Sequence, residues 1–257
     1  MNIRLVVADV DGVLLAPGAS GNTEAGDRLV KAVNKVKDNG VIFSVATARS
    51  LDKIKGLVKS LKMNSPIILD NGASIYDCLV KKYIFNSFIP PETVKEAIEL
   101  LKQLSFTFYL DGIEKRLEYK PNKSFKLNEV IKIVILHIVP FQAQQVFEKV
   151  FEIKNLKVTK SVSGQNPVKE SIHITSANAS KEKALKRIAD LSGINQDEIL
   201  TIGDSYNDYY LMNASGFKVA VGNAVPEILA IADYIAPSYD KDGVAHVLEK
   251  FILEKNV

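Results

Sequence analysis

Acidic residues follow the first predicted strand at a spacing that suits phosphate and metal chemistry. Residues 5–8, Leu-Val-Val-Ala, have the pattern of a short buried strand, and Asp9, Asp11 and Gly12 come directly after it. Two carboxylates one residue apart at a strand end can face a common point, and a glycine beside them lets the backbone come close. Alone, the segment also fits an ordinary polar turn. The spacing therefore predicts either an acidic catalytic centre or a turn.

A second acidic segment, residues 203–208, follows the predicted strand Ile199–Ile202. Asp and Asn are favoured at helix N-caps, but one cap does not need three such residues. Four carboxylates would then gather at one sheet edge: Asp9, Asp11, Asp204 and Asp208. They would repel one another unless a cation lay among them, and hard oxygen ligands with room for water and phosphate suit Mg²⁺. We therefore predict a Mg²⁺ site, with Asp204 as a direct ligand and Asp208 as a ligand, a water-bridged ligand or a support.

Lys181 and Thr47 are candidates for holding a phosphate group. Lys181 opens a predicted helix, where its charge opposes the helix dipole unless an anion is bound at the same end. The alternative is a solvated surface lysine, and Lys183 is a competing candidate. Thr47 follows the second predicted strand and either donates to a phosphate oxygen or caps the next helix. We predict that Lys181 and Thr47 bind substrate.

Two asparagines complete the predicted substrate site. Asn71 lies in the segment 70–73, Asp-Asn-Gly-Ala, which follows the third predicted strand, Pro66–Leu69, and which is either a substrate contact or a turn. Asn207 lies inside the second acidic segment. Asn71 and Asn207 are both candidates for binding substrate, and the turn remains the alternative for Asn71.

Strands and helices alternate along residues 3–76 and again after residue 180, which predicts an α/β fold built on a parallel, doubly wound sheet. Such sheets bind ligands at the carboxyl ends of their strands, where all the clusters above are found. The middle segment has helices followed by strands and predicts an antiparallel α+β unit. We therefore predict a core of residues 1–78 and 176–257 with an inserted domain of residues 79–175.

The composition limits the classes of protein to which the chain can belong. Its 257 residues are 47% hydrophobic and 25% charged, as in ordinary globular proteins. The 33 basic and 30 acidic residues give a net charge of +3, which indicates no nucleic-acid partner. Cys78 is the single cysteine and cannot form an intramolecular disulfide. With no membrane span or signal peptide predicted, we expect a cytoplasmic protein; the sequence does not indicate an oligomeric state.

Together, these residues resemble the four motifs of the haloacid dehalogenase (HAD) superfamily of phosphotransferases. In chain order the matches are Asp9-x-Asp11-Gly12-Val13, Thr47, Lys181 and Gly203-Asp204-x-x-Asn207-Asp208. The insertion between the second and third motifs resembles the Cof-like (IIB) branch. So do Asn71-Gly72-Ala73, Lys181-x-x-Ala184-Leu185 and Asp242-Gly243-Val244. That branch includes archaeal phosphoglycolate phosphatases, sugar phosphatases and phosphomannomutases. One departure is Ala48, which stands where the second motif commonly has glycine.

The resemblance implies a Rossmann-like catalytic core with a cap domain and the hydrolysis of small phosphorylated metabolites. Asp9 would attack phosphorus and form an aspartyl-phosphate, with Asp11 as general acid and base. Mg²⁺ would be held by Asp9, the backbone carbonyl of Asp11, and Asp204. The cap would exclude water and select the leaving group.

Two other functions fit parts of the same pattern. A phosphomutase of the same superfamily would return the phosphate to another hydroxyl of the sugar. A phospho-accepting receiver module, which is not an enzyme, also has acidic residues after its first strand and an Asp after its third, here Asp70. The receiver hypothesis leaves the insertion and residues 203–208 without a role, and the chain is about twice the usual size of a single domain.

Overall fold

A computed structural model of the chain describes residues 2–113, 116–163 and 166–254. The chain divides into two compact units. The core unit runs to Ile84 and resumes at Lys181, and the inserted unit runs from Phe85 to Ser180. The insertion predicted at residues 79–175 therefore starts and ends a few residues earlier than the unit in the structure.

The helices and strands follow in chain order. The first core segment contains β1 (Leu5–Ala8), α1 (Asp27–Asp38), β2 (Ile42–Val45), α2 (Lys55–Ser60), β3 (Pro66–Leu69), β4 (Ser74–Asp77) and β5 (Lys82–Asn86). The next segment contains α3 (Pro91–Gln103), β6 (Tyr109–Asp111), β7 (Arg116–Glu118), β8 (Lys132–Ile138), α4 (Pro140–Phe151), β9 (Leu156–Ser163) and β10 (Asn166–Ser176). The last contains α5 (Lys181–Ser192), β11 (Ile199–Gly203), α6 (Tyr209–Asn213), β12 (Phe217–Val221), α7 (Pro226–Ile231), β13 (Tyr234–Ala236) and α8 (Gly243–Leu248).

The core is built on a five-stranded parallel sheet with the strand order β13-β12-β11-β1-β2. All four residues of β1 are buried, which explains the uninterrupted apolar run in the sequence. Ala8, at the end of β1, is level with Ile202 on β11 and with Val45 on β2. The segments that follow these three strands therefore leave the sheet at the same edge. The predicted doubly wound α/β fold is confirmed.

Strand β3 is a correction to the predicted sheet. It was expected to extend the parallel sheet, but its parallel pairing is a single bridge between Ala46 and Ile68. Its regular partner is β4, in an antiparallel three-stranded sheet with the order β3-β4-β5. Three consecutive residues with positive φ reverse the chain between β3 and β4: Asp70 (52°), Asn71 (57°) and Gly72 (89°). This tight reversal lets β4 pair with β3 at once, and the hairpin β4–β5 was not predicted.

Helix α1 presents one apolar stripe to the core. In α1 the buried residues are Leu29, Ala32, Val33 and Val36, which have the i, i+3, i+4, i+7 spacing of one helix face. Burying each of the larger aliphatic side chains contributes about 1.5–3 kcal/mol relative to leaving it in water. The helix begins at Asp27, directly after Gly26, whose backbone is extended.

The inserted unit has its own sheet and its own apolar core. The strand order is β7-β6-β8-β10-β9, with antiparallel pairing throughout. Alternate residues of the central strands, such as Ile133 and Ile172, form a buried cluster with apolar residues of α3 and α4. The sheet therefore has one apolar face covered by two helices, as predicted for an α+β unit.

The alternate positions of this sheet carry a group of interacting charges, here called the basic cluster: the buried Asp111 and Lys132, and Arg116, whose side chain is 33% exposed. Arg116 donates from Nε and Nη2 to the two oxygens of Asp111, both at 2.7 Å, and Lys132 Nζ lies 3.4 Å from Asp111 Oδ2. Lys132 is 1% exposed. Burial works against ionisation of Asp111, but the bonds from Arg116 and the charge of Lys132 lower its pKa. Burial and these two cations lower the pKa of the neighbouring His173 to about 3, so this imidazole is neutral.

Within residues 2–113, 116–163 and 166–254, no helix combines the length and the apolar character needed to cross a membrane.

Candidate active site

Asp9 lies at the end of β1 and is connected by hydrogen bonds through Lys181 to Asp208, two of the residues predicted to share its site. Its backbone N–H donates to the carbonyl of Ile202, which continues the β1–β11 ladder by one residue. The residue is 4% exposed. Lys181 Nζ donates to Asp9 Oδ1 and to Asp208 Oδ1, both at 2.7 Å. The lysine is 3% exposed, so it is not the solvated surface lysine that the sequence left open.

Asp208 is held in place through both of its carboxylate oxygens. Oδ1 accepts from Lys181, and Oδ2 accepts from the backbone N–H groups of Asp204 (3.1 Å) and Ser205 (3.3 Å). A side chain at position 203 would crowd this carboxylate, because a Cβ there would lie 2.7 Å from the Cβ of Asp208. The glycine at the end of β11 therefore lets Asp208 fold back under the segment that carries Asp204.

Asp204 faces the Asp9 segment and has an oxygen in need of a partner. Its Oδ1 is buried and accepts no hydrogen bond from the part of the chain that the structure describes. A Cβ at Gly12, where φ is 73°, would lie 2.1 Å from Asp204 Oδ2. Gly12 thus serves two purposes: it adopts a backbone conformation that other residues rarely adopt, and it leaves room for the carboxylate.

Within the residues that the structure describes, the group formed by Asp9, Asp204 and Asp208, here called the acidic cluster, has more carboxylates than cations, since Lys181 pairs with two of the three. One oxygen from each carboxylate lies within 4.8 Å of the others. Burial, reinforced by Asp208 and Asp11, raises the pKa of Asp9 to about 7 despite the opposing Lys181. Burial and the charges of Asp9 and Asp208 raise the pKa of Asp204 to about 9. Burial alone would lower the pKa of Lys181, but Asp208 and Asp9 raise it, so the lysine stays charged.

The acidic cluster fits a divalent cation. Three carboxylates share one ammonium, and the unpartnered oxygen of Asp204 is an acceptor that a metal ion would satisfy. An all-oxygen donor set of this kind suits Mg²⁺, which keeps several waters and binds through a small number of carboxylates.

Asp11 was predicted as a further metal ligand, but its carboxylate accepts hydrogen bonds from Arg49 instead. Nε of Arg49 donates to Oδ2 at 2.8 Å and Nη2 donates to Oδ1 at 2.5 Å. Gly18 N–H donates to the same Oδ1 at 3.2 Å. A metal contact from Asp11 would therefore use its backbone carbonyl, as the resemblance implied.

The remaining predicted residues form a connected chain of hydrogen bonds. The backbone N–H of Asn71 donates to the carbonyl of Thr47 at 2.9 Å, and Nδ2 of Asn207 donates to Oδ1 of Asn71 at 3.5 Å. Oγ1 of Thr47 accepts from the N–H of Arg49 at 3.1 Å. Ala48, the departure from the family pattern, does not have a positive φ, so alanine is accommodated without backbone strain.

Two residues with structural links to the site received no role from the sequence. Asn223 follows β12; its Nδ2 donates to the carbonyl of Gly12 at 2.9 Å, and its Oδ1 accepts from the N–H of Tyr239 at 3.1 Å. It thereby fixes the loop after β1. A polar residue directly after a parallel strand was the signal used elsewhere in the chain, and it would have found Asn223. Arg49 stood beside Thr47, but nothing in the sequence pointed to Asp11 as its partner.

Comparison with known proteins identifies the family. A sequence model of haloacid dehalogenase-like hydrolases matches residues 6–248. The chain belongs to this family. It is 30% identical over 263 residues to a phosphoglycolate phosphatase of Staphylothermus marinus, covering 98% of this chain and 99% of the relative. It is 25% identical over 256 residues to the 5-amino-6-(5-phospho-D-ribitylamino)uracil phosphatase YcsE of Bacillus subtilis, covering 98% of this chain and 97% of that protein.

The fold of this HAD-like hydrolase also matches solved structures. The HAD subclass IIB sugar phosphatase BT4131 superimposes with a TM-score of 0.79 at 20% identity, covering 96% of this chain and 98% of that one. At that identity the likeness concerns the fold. With the family match, it supports the predicted Cof-like IIB membership, and the protein is a phosphatase that acts on phosphorylated substrates. Phosphatases of this family generally use Mg²⁺, and the acidic cluster is compatible with it.

Proposed function

We propose that the protein is a Mg²⁺-dependent phosphatase that hydrolyses small phosphorylated metabolites through a phosphorylated Asp9. The observation that supports it best is the acidic cluster of Asp9, Asp204 and Asp208 at the end of β1, linked by Lys181. A divalent cation would balance the negative charge that the ammonium of Lys181 leaves uncompensated among these carboxylates. Asp9 is buried and lies directly after the strand.

In the first step Asp9 is the nucleophile. Lys181 holds Oδ1 of Asp9, and we propose that Oδ2 attacks phosphorus in line with the leaving oxygen. The Asp9 O–P bond forms while the bond from phosphorus to the leaving oxygen breaks. The leaving oxygen keeps the electron pair and takes a proton from the Asp11 carboxyl group.

In the second step water replaces Asp9 on phosphorus. The Asp11 carboxylate takes a proton from the attacking water, the new O–P bond forms, and the Asp9 O–P bond breaks. Inorganic phosphate leaves, and both aspartates return to their starting states. The pair of steps consumes one water and produces one alcohol and one phosphate.

Mg²⁺ would be held by Asp9, Asp204 and the backbone carbonyl of Asp11. It would offset the negative charge between the carboxylate nucleophile and the phosphate. Asp208 serves as the support among the alternatives left open by the sequence, because its oxygens already accept from Lys181 and from two backbone N–H groups. Its work is to orient Lys181 and the Asp204 segment.

Thr47 and Lys181 would hold the phosphate oxygens, with Asn71 and Asn207 beside them. Oγ1 of Thr47 accepts from the N–H of Arg49, which leaves the hydroxyl hydrogen for a phosphate oxygen. The lysine ammonium has three hydrogens, of which two point at Asp9 and Asp208. The third supplies a further donor for phosphate.

The substrate class rests on the relatives. One acts on phosphoglycolate and another on a phosphorylated ribityl-aminouracil, so phosphatases similar to this chain differ widely in leaving group. We propose phosphoglycolate or a sugar phosphate as the class of substrate. A panel of such metabolites should release inorganic phosphate with Mg²⁺ present and stop with EDTA. Transfer of the phosphate within the sugar, without release, would identify a phosphomutase, and phosphorylation without turnover would contradict the enzyme assignment.

We propose that the inserted unit selects the leaving group while the core carries the chemistry. All four motifs lie in the core unit. Replacing residues 85–180 with a short linker should remove the preference for the best metabolite over a small aryl phosphate while aryl phosphate hydrolysis continues. The thermal unfolding transition of the shortened protein shows whether the core remains folded, and an unchanged preference would contradict this division.

A cytoplasmic location and the absence of a nucleic-acid partner stay predictions from composition. Fractionation of cells with an antibody to the protein tests the first, and a gel-shift assay with mixed DNA and RNA tests the second.

A further inference from the structure

Asp11 is distinguished from the other acidic residues of the site by its partner. The carboxylates of Asp9, Asp204 and Asp208 converge within 4.8 Å, whereas that of Asp11 makes a two-point contact with Arg49. The planar guanidinium fork matches both oxygens of a carboxylate and fixes its plane as well as its position. The direction in which Asp11 faces is therefore set by Arg49.

Arg49 has anchors other than Asp11, which makes it the fixed member of the pair. Its Nη1 donates to the carbonyls of Ala19 (2.7 Å) and Lys53 (3.1 Å), and its own carbonyl accepts from Asp70 N–H at 3.0 Å. The side chain of Arg49 is 12% exposed, and that of Asp11 is 37% exposed. Because Nη1 is held by two backbone carbonyls and the arginine is the more buried of the two side chains, the guanidinium is the less mobile partner, and the carboxylate adapts to it.

The hydrogen bonds also distinguish the two oxygens of Asp11. A carboxylate has about four acceptor positions, two on each oxygen. Oδ1 uses both of its positions, for Arg49 Nη2 and the N–H of Gly18. Oδ2 uses one, for Arg49 Nε. The fourth position, on Oδ2, remains for a proton.

We propose that Arg49 is a positioning residue that orients Asp11 so that Oδ2 passes its proton to the leaving oxygen, an inference that rests on the acid role of Asp11 in the proposed function. The guanidinium also keeps this carboxylate out of the acidic cluster. Asp9 and Asp204 bind the metal, and Asp11 serves the leaving group. Arg49 thus keeps the carboxylate that serves the leaving group apart from those that bind the metal, although all of them follow strands at the same edge of the sheet.

Loss of a residue that positions a general acid affects the rate differently for different leaving groups, whereas a general disturbance of the active site slows all substrates alike. Proton donation matters most when the leaving oxygen is basic and is worth about 10²–10⁴-fold in rate. Phenol has a pKa of about 10, so phenolate needs the proton, whereas p-nitrophenolate leaves without one. Loss of Arg49 should therefore slow phenyl phosphate much more than p-nitrophenyl phosphate, although the two substrates have nearly the same shape.

The test compares kcat/KM for these two aryl phosphates in the wild type, Arg49→Lys, Arg49→Ala and Asp11→Asn. We expect Arg49→Lys to lose on the order of 10²-fold on phenyl phosphate and less than about 10-fold on p-nitrophenyl phosphate. Guanidinium ion added to Arg49→Ala should restore phenyl phosphate hydrolysis selectively. Arg28→Lys is the matched control, because Arg28 makes a two-point contact with Glu249 in the same unit, away from the site. It should change neither rate.

The outcomes separate this inference from the function on which it rests. Selective loss in both Asp11→Asn and Arg49→Lys supports it. Selective loss in Asp11→Asn with equal losses on both substrates in Arg49→Lys, and no rescue by guanidinium, overturns the role of Arg49 alone. Equal losses in Asp11→Asn overturn the acid role of Asp11 and, with it, the inference.

Discussion

Each unit holds a group of interacting charges, and the two groups have opposite charge balance: the one in the core is acidic and the one in the inserted unit is basic. The acidic cluster of the core has three carboxylates around the ammonium of Lys181. The basic cluster of the inserted unit has two cations around the carboxylate of Asp111. In the acidic cluster the pKa values of Asp9 and Asp204 are raised, whereas in the basic cluster the pKa of Asp111 is lowered.

The comparison indicates that the charge of Asp111 stabilises the folded state, whereas the carboxylates of the acidic cluster destabilise it when no metal is bound. Asp111 is ionised at neutral pH because its partners favour the charged form, so the folded state gains from it. Asp204 is held in the folded state against its preference for water, so the metal-free protein is destabilised at this point. Sites that store such a cost are commonly those at which a ligand binds. The four predictions below test this contrast.

The largest effect should come from Asp9→Asn. The amide has nearly the same shape but is a poor nucleophile, so we expect phosphate release to fall by on the order of 10³-fold or more. The thermal unfolding transition should stay at or above that of the wild type, because one buried charge is removed. Near-normal phosphate release by this variant would reject Asp9 as the nucleophile.

Asp204→Asn should change activity and stability in opposite directions. Loss of a metal ligand should lower activity by more than about 10²-fold. The metal-free variant should nonetheless be more stable than the metal-free wild type by about 1 kcal/mol or more, because a carboxyl group with a strongly raised pKa is gone. Urea unfolding in EDTA measures this, with the exposed Asp190→Asn as control. If metal-free Asp204→Asn were less stable than the metal-free wild type, the Asp204 carboxylate would not destabilise the metal-free protein.

Asp111→Asn should do the reverse in the inserted unit. It removes the buried carboxylate that Arg116 and Lys132 contact, and we expect a loss of about 2 kcal/mol or more in the free energy of unfolding. Glu92→Gln is the control, because Glu92 is 83% exposed in its pair with Lys95 and should contribute less than about 1 kcal/mol. If Asp111→Asn were as stable as the wild type, the basic cluster would not stabilise the unit.

The stabilisation by Mg²⁺ should grow with pH. Because the pKa of Asp9 is raised to about 7 and that of Asp204 to about 9, the metal-free folded protein holds protons that the unfolded chain has lost. Its stability therefore falls as the pH rises from about 4 toward about 9, and Mg²⁺ displaces these protons. We expect the gain from Mg²⁺ to be about 3 kcal/mol larger at about pH 8.5 than at about pH 6.5, because each displaced proton contributes about 1.4 kcal/mol per pH unit below the pKa of its group. A gain independent of pH would argue against binding at these carboxylates.

Much of the fold was predictable because its signals are local. The apolar run of β1 and the polar residues after β1, β2 and β11 placed those strands and the candidate site at one sheet edge. The separate sheet β3-β4-β5 was missed because it begins with the reversal at Asp70, Asn71 and Gly72, where φ is positive. The sequence marked this segment as a possible turn but did not show that the turn pairs β4 with β3.

The contacts that refine the site were not predictable, because they join distant parts of the chain. Arg49 and Asp11 are 38 residues apart, and Asn223 and Gly12 are 211 apart. Which arginine meets which carboxylate depends on how the loops after the strands pack. Residue type and spacing therefore located the acidic residues, and the structure distinguishes the carboxylates that converge from the one that Arg49 holds apart.

The most direct test of the account is to trap the phosphorylated enzyme during turnover. The protein, hydrolysing p-nitrophenyl phosphate with Mg²⁺, is quenched in acid, reduced with borohydride to trap acyl phosphates, and digested for mass spectrometry. The account predicts a substrate-dependent mass change that fragmentation places on Asp9 and that is absent from Asp9→Asn. Steady phosphate release with no change at Asp9, or with the change on Asp70 instead, would contradict it.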